Sequence, residues 1–198
     1  MKRIYAVLLF LFVSGTFALG QSFGAKGGVN ISTISSDSWD NTNSKVGFYA
    51  GLFLHGHVAN NFCIQPELIF SNMGVKYESG NTTHTLSLNY IAMPVMFQLE
   101  PIPNLYFEAG PQFGFLLGSR DKFDNGEKVI IEKDKEAFNQ FDLNLALGTG
   151  FRFSERIALT ARYVVGLTDI KKYGETSWGN DDNELRNNGL QLGLQIGL

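Results

Sequence analysis

The sequence predicts an all-β protein, an eight-stranded antiparallel up-and-down transmembrane β-barrel. Apolar and polar side chains alternate with a period of two along one segment after another, as they do in strands whose two faces meet different environments. The connections between these segments are alternately short and long, and most charged residues lie in the long ones. Charged residues make up only 18% of the chain, below the roughly 25% of ordinary soluble domains.

The first twenty residues predict an export signal. Lys2 and Arg3 supply positive charge, an apolar run follows from 4 to 13, and Ala18 and Gly20 are the small residues that a signal peptidase requires. The run is too short to span a bilayer, which takes about 20 apolar residues. We therefore expect residues 1–20 to be a signal peptide and residues 21–198 to be one outer-membrane β-barrel domain.

Composition excludes several functional classes. A net charge of −3 leaves no basic surface for nucleic acid, and a hydrophobic fraction of 44% is too high for a disordered chain. The lone cysteine, Cys63, cannot form an internal disulfide or a cysteine-based zinc site. The sequence contains no phosphate-binding loop and no nucleophile motif, so we expect no cofactor, no metal and no catalytic residue.

The first four predicted strands run over 23–31, 46–58, 64–71 and 90–99. The second of these is apolar on both faces, so its alternation does not determine which face points inward. In the other three, a bulky apolar face alternates with a face that is smaller or more polar. That second face carries Lys26, Asn30, Gln65, Glu67, Ser71, Tyr90, Ala92, Pro94 and Gln98.

The last four predicted strands alternate more strictly, over 105–117, 141–151, 157–167 and 190–198. One face is built mainly from Phe, Leu, Ile and Tyr, whereas the other is rich in Gly, Ala and Gln. The polar and charged members of the second face are Glu108, Gln112, Asp142, Asn144, Arg162, Gln191 and Gln195.

The connections predict an up-and-down meander with two unlike ends. Membrane barrels of this kind have short turns on the periplasmic side and longer loops outside the cell. The short connections are 59–61, 101–104 and 154–156, and the long ones are 32–45, 78–84, 118–137 and 169–187.

The bulky face is expected to meet lipid, and the small polar face is expected to line the bore. An eight-stranded barrel has an interior just wide enough for side chains, which suits the smaller face. No charged residue lies in the middle of a bulky face, as expected if a lipid-facing Lys or Arg costs about 2–4 kcal/mol at mid-membrane. A soluble, lipocalin-like barrel would have the opposite orientation.

Five local strings resemble those of one family. Together they are similar to the PorT-like outer-membrane β-barrel domain family, the small "porin family" barrels of Gram-negative bacteria. The resemblance extends over nearly all of 21–198 and implies a barrel in the outer membrane. It implies little about activity, although the PorT branch is linked to protein secretion and gliding. Ala92 departs from the family pattern, which has an acidic residue there. The strings are FGAKGGVN at 23–30, IQPEL at 64–68, NYIAMP at 89–94, EAGPQ at 108–112 and RYVVGLTD at 162–169.

The polar residues of the predicted lumen form the candidate site. Buried charges need partners or cost several kcal/mol each, and the two signs nearly balance on this face. We therefore expect a structural ion-pair network that plugs the barrel, with Arg152 as a further base near the short turns. A narrow ion path along the same residues is the alternative. The candidate residues are Lys26, Glu67, Glu108, Gln112, Asp142 and Arg162.

The three histidines do not predict a metal or catalytic site. His55 and His57 share one strand face, so two ligands could meet there, but His84 belongs near the opposite end of the barrel. We interpret the pair as side chains of the rim or lumen.

The long loops contain two further features. The oxygen-rich run 179–184 could hold a divalent cation but lacks the spacing of an EF-hand, so we interpret it as a solvated loop. Trp39 and Trp178 are candidates for anchors at the membrane interface or for ligand contacts.

The function that these features predict is that of an integral outer-membrane barrel with a plugged polar lumen. It would have a structural or interaction role through its extracellular loops and would not be an enzyme. Two alternatives are a small-solute diffusion channel and, less well supported, a lipid-modifying enzyme. The expected partners are outer-membrane lipid and an unidentified protein, with no nucleic acid, and the chain is expected to be a monomer.

Overall fold

The computed structural model describes residues 22–35, 43–79, 82–126, 128–132, 135–172 and 184–198. The predicted signal peptide, Trp39, Trp178 and nearly all of the oxygen-rich run 179–184 lie outside the described residues. Among the described residues, no helix is long and apolar enough to cross a membrane.

The described residues form nine strands, all joined in one sheet. The first five strands continue beyond their predicted apolar sections, and β4 reaches 21 residues. The strands are β1 (Ser22–Ser35), β2 (Asn43–Ala59), β3 (Phe62–Ser79), β4 (Thr82–Ile102), β5 (Leu105–Asp124), β6 (Val129–Glu132), β7 (Phe141–Arg152), β8 (Ile157–Gly166) and β9 (Arg186–Gly197).

Eight of the strands close into a ring in which every neighbouring pair is antiparallel. The order is β4-β3-β2-β1-β9-β8-β7-β5, and the pairing of β4 with β5 closes it. The first strand pairs with the last over Gly24–Ser35 and Arg186–Gly197. Closure gives every strand of the ring two hydrogen-bonded edges, which lipid demands because it offers the backbone no hydrogen bonds. The predicted eight-stranded up-and-down architecture is confirmed.

The four predicted long loops all contain strand residues, which make up more than half of 118–137 and of 78–84. β5 continues to Asp124, and the short strand β6 pairs with its last residues, Asp121 to Asp124. β3 likewise continues to Ser79 and β4 begins at Thr82, so the predicted loop 78–84 lies largely within these two strands. The added parts of β3, β4 and β5 are mostly polar, and β6 has only four residues, so these segments lack the alternating apolar face by which the other strands were recognised.

The two faces of the wall have the predicted orientation. On β9, Leu192 and Leu194 are 38% and 48% exposed, whereas Gln191 and Gln195 are 1% and 5% exposed. The same alternation places Leu145 on the outside and Asn144 inside. For β2, whose parity the sequence left open, Tyr49, Phe53 and His55 point inward.

The polarity of the wall inverts near one end of the barrel. We call this the long-loop end, and we call the opposite end, which has the three short turns, the short-turn end. On the outer surface, Phe70 pairs with Ile91, but the next outward pair along β3 and β4 is Asn72 with Asn89. Beyond that level the outward residues of β4 are Ser87, Thr85 and Thr83, while Leu86 and Leu88 point inward and are fully buried. The apolar face therefore changes sides where the wall leaves the expected membrane layer.

Glycines on the lumen face make room for large aromatic rings. A Cβ at Gly150 would lie 2.2 Å from Tyr106 Cζ, and one at Gly24 would lie 2.4 Å from Phe53 Cζ. The rings thus lie directly against glycine backbone on other strands. The small residues of this face are needed because a narrow bore holds several aromatic side chains.

Substitution on the two sides of the inversion level tests the position of the membrane layer. We expect Leu147→Arg, on the outer face of β7, to lower the free energy of unfolding by about 2–4 kcal/mol, because it places a charge in hydrocarbon. Ser44→Arg, at an exposed residue near the long-loop end, should change the free energy of unfolding by less than about 0.5 kcal/mol. Urea unfolding in lipid vesicles measures both, and equal losses would contradict this boundary.

Candidate functional site: the charged cluster in the lumen

Four charged side chains meet in the interior of the barrel. They come from four different strands: Lys26 from β1, Glu67 from β3, Glu108 from β5 and Arg162 from β8. Strand alternation turns each one inward, and each is 5% exposed or less. Carboxylates and cations are equal in number, so the cluster carries no net formal charge.

Arg162 is at the centre of this cluster. Its Nη1 donates to Glu67 Oε2 at 3.0 Å and its Nη2 to Glu67 Oε1 at 2.8 Å, a bidentate pair. Its Nε donates to Glu108 Oε1 at 2.8 Å. One guanidinium therefore bridges both carboxylates, a geometry that a lysine ammonium cannot reproduce.

Further donors complete the environment of the two carboxylates. Lys26 Nζ donates to Glu67 Oε1 at 2.9 Å, and Gln65 Nε2 donates to the same oxygen at 2.9 Å. Gln98 Nε2 donates to Glu108 Oε2 at 3.0 Å. Buried charges are stable only when their hydrogen bonds are satisfied in this way.

The pair of Arg162 and Glu67 crosses the bore. β3 and β8 are four places apart in the ring of eight, so they lie on opposite walls. The side chains join these walls through the middle of the barrel. An ion or solute moving along the axis would have to pass this bridge.

Two of the predicted site residues lie apart from the cluster. Asp142 accepts hydrogen bonds from Asn187 Nδ2 at 2.9 Å and from Thr168 Oγ1 at 3.2 Å. On its own strand it is six residues from Gly148, the backbone partner of Arg162, a separation of roughly 20 Å. Gln112 is buried in the lumen, but its Oε1 has no hydrogen-bond partner among the described residues.

The sequence placed Gln65 and Gln98 on the lumen face without assigning them a role. Gln65 shares that face with Glu67, two residues further along β3, which is the signal that could have identified it. The role of Gln98 depends on its alignment with Glu108 across β4 and β5. That alignment is a property of the register between strands.

A second layer fills the lumen at the long-loop end. It is apolar, whereas the sequence predicted a polar interior throughout. Three of its members come from the connections that follow β6 and β8, so they pack into the end of the barrel from outside the ring of strands. The layer consists of Ile34, Val75, Leu86, Leu88, Tyr90, Leu116, Phe138, Ile170 and Leu185.

The short-turn end has its own ion pair. Arg152 Nη1 donates to Glu100 Oε2, and the Asn104 N–H donates to Glu100 Oε1 at 3.0 Å. Arg152 also lies 4.9 Å from the centre of the Tyr106 ring. It is therefore a rim residue and does not contact the central carboxylates.

The histidines occupy both ends. His55 and His57 are on the same strand near the short-turn end, with ring centres 4.9 Å apart. His84 is near the long-loop end, where its ring packs edge-on against Phe123 at 4.3 Å. The three do not converge.

Comparison with known proteins identifies the kind of barrel. Residues 16–172 match the profile of the family described as outer membrane protein beta-barrel domain. The match ends before β9, the strand that closes the ring. No curated protein matches the chain significantly.

Solved structures share the fold. The attachment invasion locus protein Ail of Yersinia pestis has a TM-score of 0.53 and 12% identity, over 91% of this chain and 99% of its own. Neisserial surface protein A has a TM-score of 0.50 and 13% identity, over 89% of this chain and 98% of its own. At such identities the likeness concerns the fold alone.

The central role of Arg162 can be tested by removing its charge. We expect Arg162→Met to lower the free energy of unfolding by about 3–5 kcal/mol, because Glu67 and Glu108 then face each other with one cation between them. Arg156→Met, at an exposed arginine in a short turn, should cost less than about 0.5 kcal/mol. Urea unfolding in vesicles measures both. If Arg162→Met unfolded at the same urea concentration as the wild type, the charged cluster would not contribute to the stability of the barrel.

Proposed function

Given that the chain belongs to the outer membrane protein β-barrel domain family, we propose that it is a sealed barrel that acts through its outer surfaces. The protein is an integral outer-membrane β-barrel. What we propose beyond this is that the lumen does not conduct and that the extracellular end carries the interaction role.

The Arg162–Glu67 bridge is the observation that carries the proposal. A conducting path needs an open, hydrated route, but these side chains join opposite walls and are almost fully buried. The apolar layer at the long-loop end supports the same conclusion, since it places hydrocarbon across the axis at a second level. A solute would have to displace both.

The long-loop end is the better candidate for the interaction surface. Barrels of this kind direct their long loops out of the cell, and here β3, β4 and β5 extend the wall beyond the inversion level. β6 adds a hairpin whose residues Val129, Ile130 and Ile131 are all at least 40% exposed. Charged side chains such as Lys122 and Asp124 surround it.

The proposal includes no enzymatic step, no cofactor and no nucleic acid, and it takes the protein to be a monomer in lipid. The charged groups of the lumen are held by one another and are not presented to a substrate. The only partners that it requires are the lipid around the barrel and a protein at the extracellular end.

We further propose two finer assignments. The strings at 23–30, 64–68, 89–94, 108–112 and 162–169 support membership of the PorT-like family of small barrels. The charged and apolar segments of residues 1–20 support export by a cleaved signal peptide.

A planar-bilayer recording tests the sealed lumen. We expect the wild-type protein to give no steady current steps. The triple variant Arg162→Ala, Glu67→Ala and Phe138→Ala should give measurable leak, because it removes the bridge and also opens the apolar layer. The matched control, Arg152→Ala with Glu100→Ala, removes an ion pair from the rim and should stay silent. A steady nanosiemens conductance of the wild-type protein would contradict the proposal.

Cross-linking on whole cells tests the interaction surface. We expect a defined cross-linked product with the wild-type protein and its loss in the triple variant Val129→Ser, Ile130→Ser and Ile131→Ser. β6 lies outside the ring of eight strands, so folding should persist after this replacement. If the cross-linked product still formed after the replacement, the interaction surface would lie outside this hairpin.

Sequencing the N-terminus of protein isolated from outer membranes tests the export assignment. We expect the mature chain to begin at Gln21, because Ala18 and Gly20 meet the requirement for small residues before the cut. A chain that still begins at Met1 would contradict it.

A further inference from the structure

Two histidines and the cysteine converge near the short-turn end. His57 and Cys63 are direct partners in the antiparallel pairing of β2 and β3, so their side chains leave the sheet side by side. His55 lies two residues before His57 and therefore on the same face. The three side chains form a group that no part of the proposed function uses. The sequence predicted no metal site, because one cysteine carries no metal motif and the pairing of β2 with β3 that brings His57 to Cys63 is not visible in it.

The ligand atoms of this group are close enough to share one ion. One ring nitrogen of His55, one ring nitrogen of His57 and Cys63 Sγ all lie within 4.8 Å of one another. In a tetrahedral zinc site, bonds of about 2.0–2.3 Å place ligand atoms about 3.3–3.8 Å apart. Small side-chain rotations close the difference.

Neighbouring residues orient the first histidine as a ligand. His55 Nδ1 lies 3.2 Å from Gln65 Oε1, so an Nδ1–H donates there and leaves the lone pair of Nε2 for a metal. Gln65 is fixed in turn, since its Nε2 donates to Glu67. Metal-binding histidines are commonly held by such outer partners.

We infer that His55, His57 and Cys63 form a binding site for a transition-metal ion of the Zn²⁺ class. Two imidazoles and a thiolate are the donors that zinc, cobalt and copper prefer, and they do not suit Mg²⁺ or Ca²⁺, which take oxygen ligands. Three protein ligands leave a fourth position open to water or a second molecule.

The site is reached from the short-turn end. Cys63 is 3% exposed and His55 is 8% exposed, whereas His57 is exposed at the mouth. An ion can therefore meet His57 first and then pass to the two inner ligands. This inference goes beyond the proposed function and does not depend on whether the lumen conducts.

Cobalt binding tests the site directly. The full-length protein, folded in detergent and stripped with a chelator, is titrated with Co²⁺ and followed by absorption. We expect one equivalent to bind with a thiolate-to-cobalt charge-transfer band, and Zn²⁺ to displace it. Cys63→Ser should abolish the band, and His57→Ala should weaken binding at least tenfold.

A third histidine provides the matched control. His84→Ala changes a histidine at the opposite end of the barrel and should leave the titration as in the wild type. Circular dichroism of every variant confirms that the barrel has folded before metal is added. The absence of a charge-transfer band in the wild type, or equal cobalt affinity in Cys63→Ser, would overturn the inference.

Discussion

The salt bridge between Arg162 and Glu67 is the interaction on which the interior of this barrel depends. It joins opposite walls, and Glu108 and Lys26 pair with the same two groups. Each charge alone would cost several kcal/mol in so narrow a bore. Because the four are present together, with two glutamine donors, the lumen can be filled by polar groups without a channel of water.

The wall around this cluster has two sections, one with an apolar outer face that suits lipid and one with a polar outer face that suits water. Over the apolar section, the outer face is hydrocarbon-like and the inner face is polar, whereas beyond Asn72 and Asn89 the relation is reversed. The interior of the long-loop end therefore resembles the apolar core of a water-soluble protein, and Leu86 and Leu88 are part of it. Side chains therefore cross the bore at two levels, in the charged cluster and in the apolar layer of the long-loop end.

A chain of hydrogen bonds connects the short-turn end to the centre of the barrel. Gln65 bonds Glu67 on one side and His55 on the other, so it links the central cluster to the inferred metal site. A single strand, β3, supplies Cys63, Gln65 and Glu67 at successive inward positions. Their order along the strand sets the order of side chains along the axis, from the thiol near the mouth to the carboxylate at the centre.

Much of this barrel follows from the sequence by itself. Period-two alternation determined the strands and the lumen-facing positions of Lys26 and Arg162, because the direction of a side chain is a local property of a strand. Alternation does not justify the two further expectations, a polar lining along the whole lumen and a single network of six residues. Parity says which face a residue occupies, but it does not say at what height.

Tertiary structure decided those heights and partners. Asp142 shares the lumen with Arg162 yet lies roughly 20 Å away along the wall, since register between strands sets axial position. Gln98 meets Glu108, and Cys63 meets His57, through cross-strand alignment alone. The strands beyond the membrane layer were missed because a polar outer face resembles a loop when no neighbouring strand is known. Ring closure brought β3 opposite β8, which is a property of the whole barrel and of no segment within it.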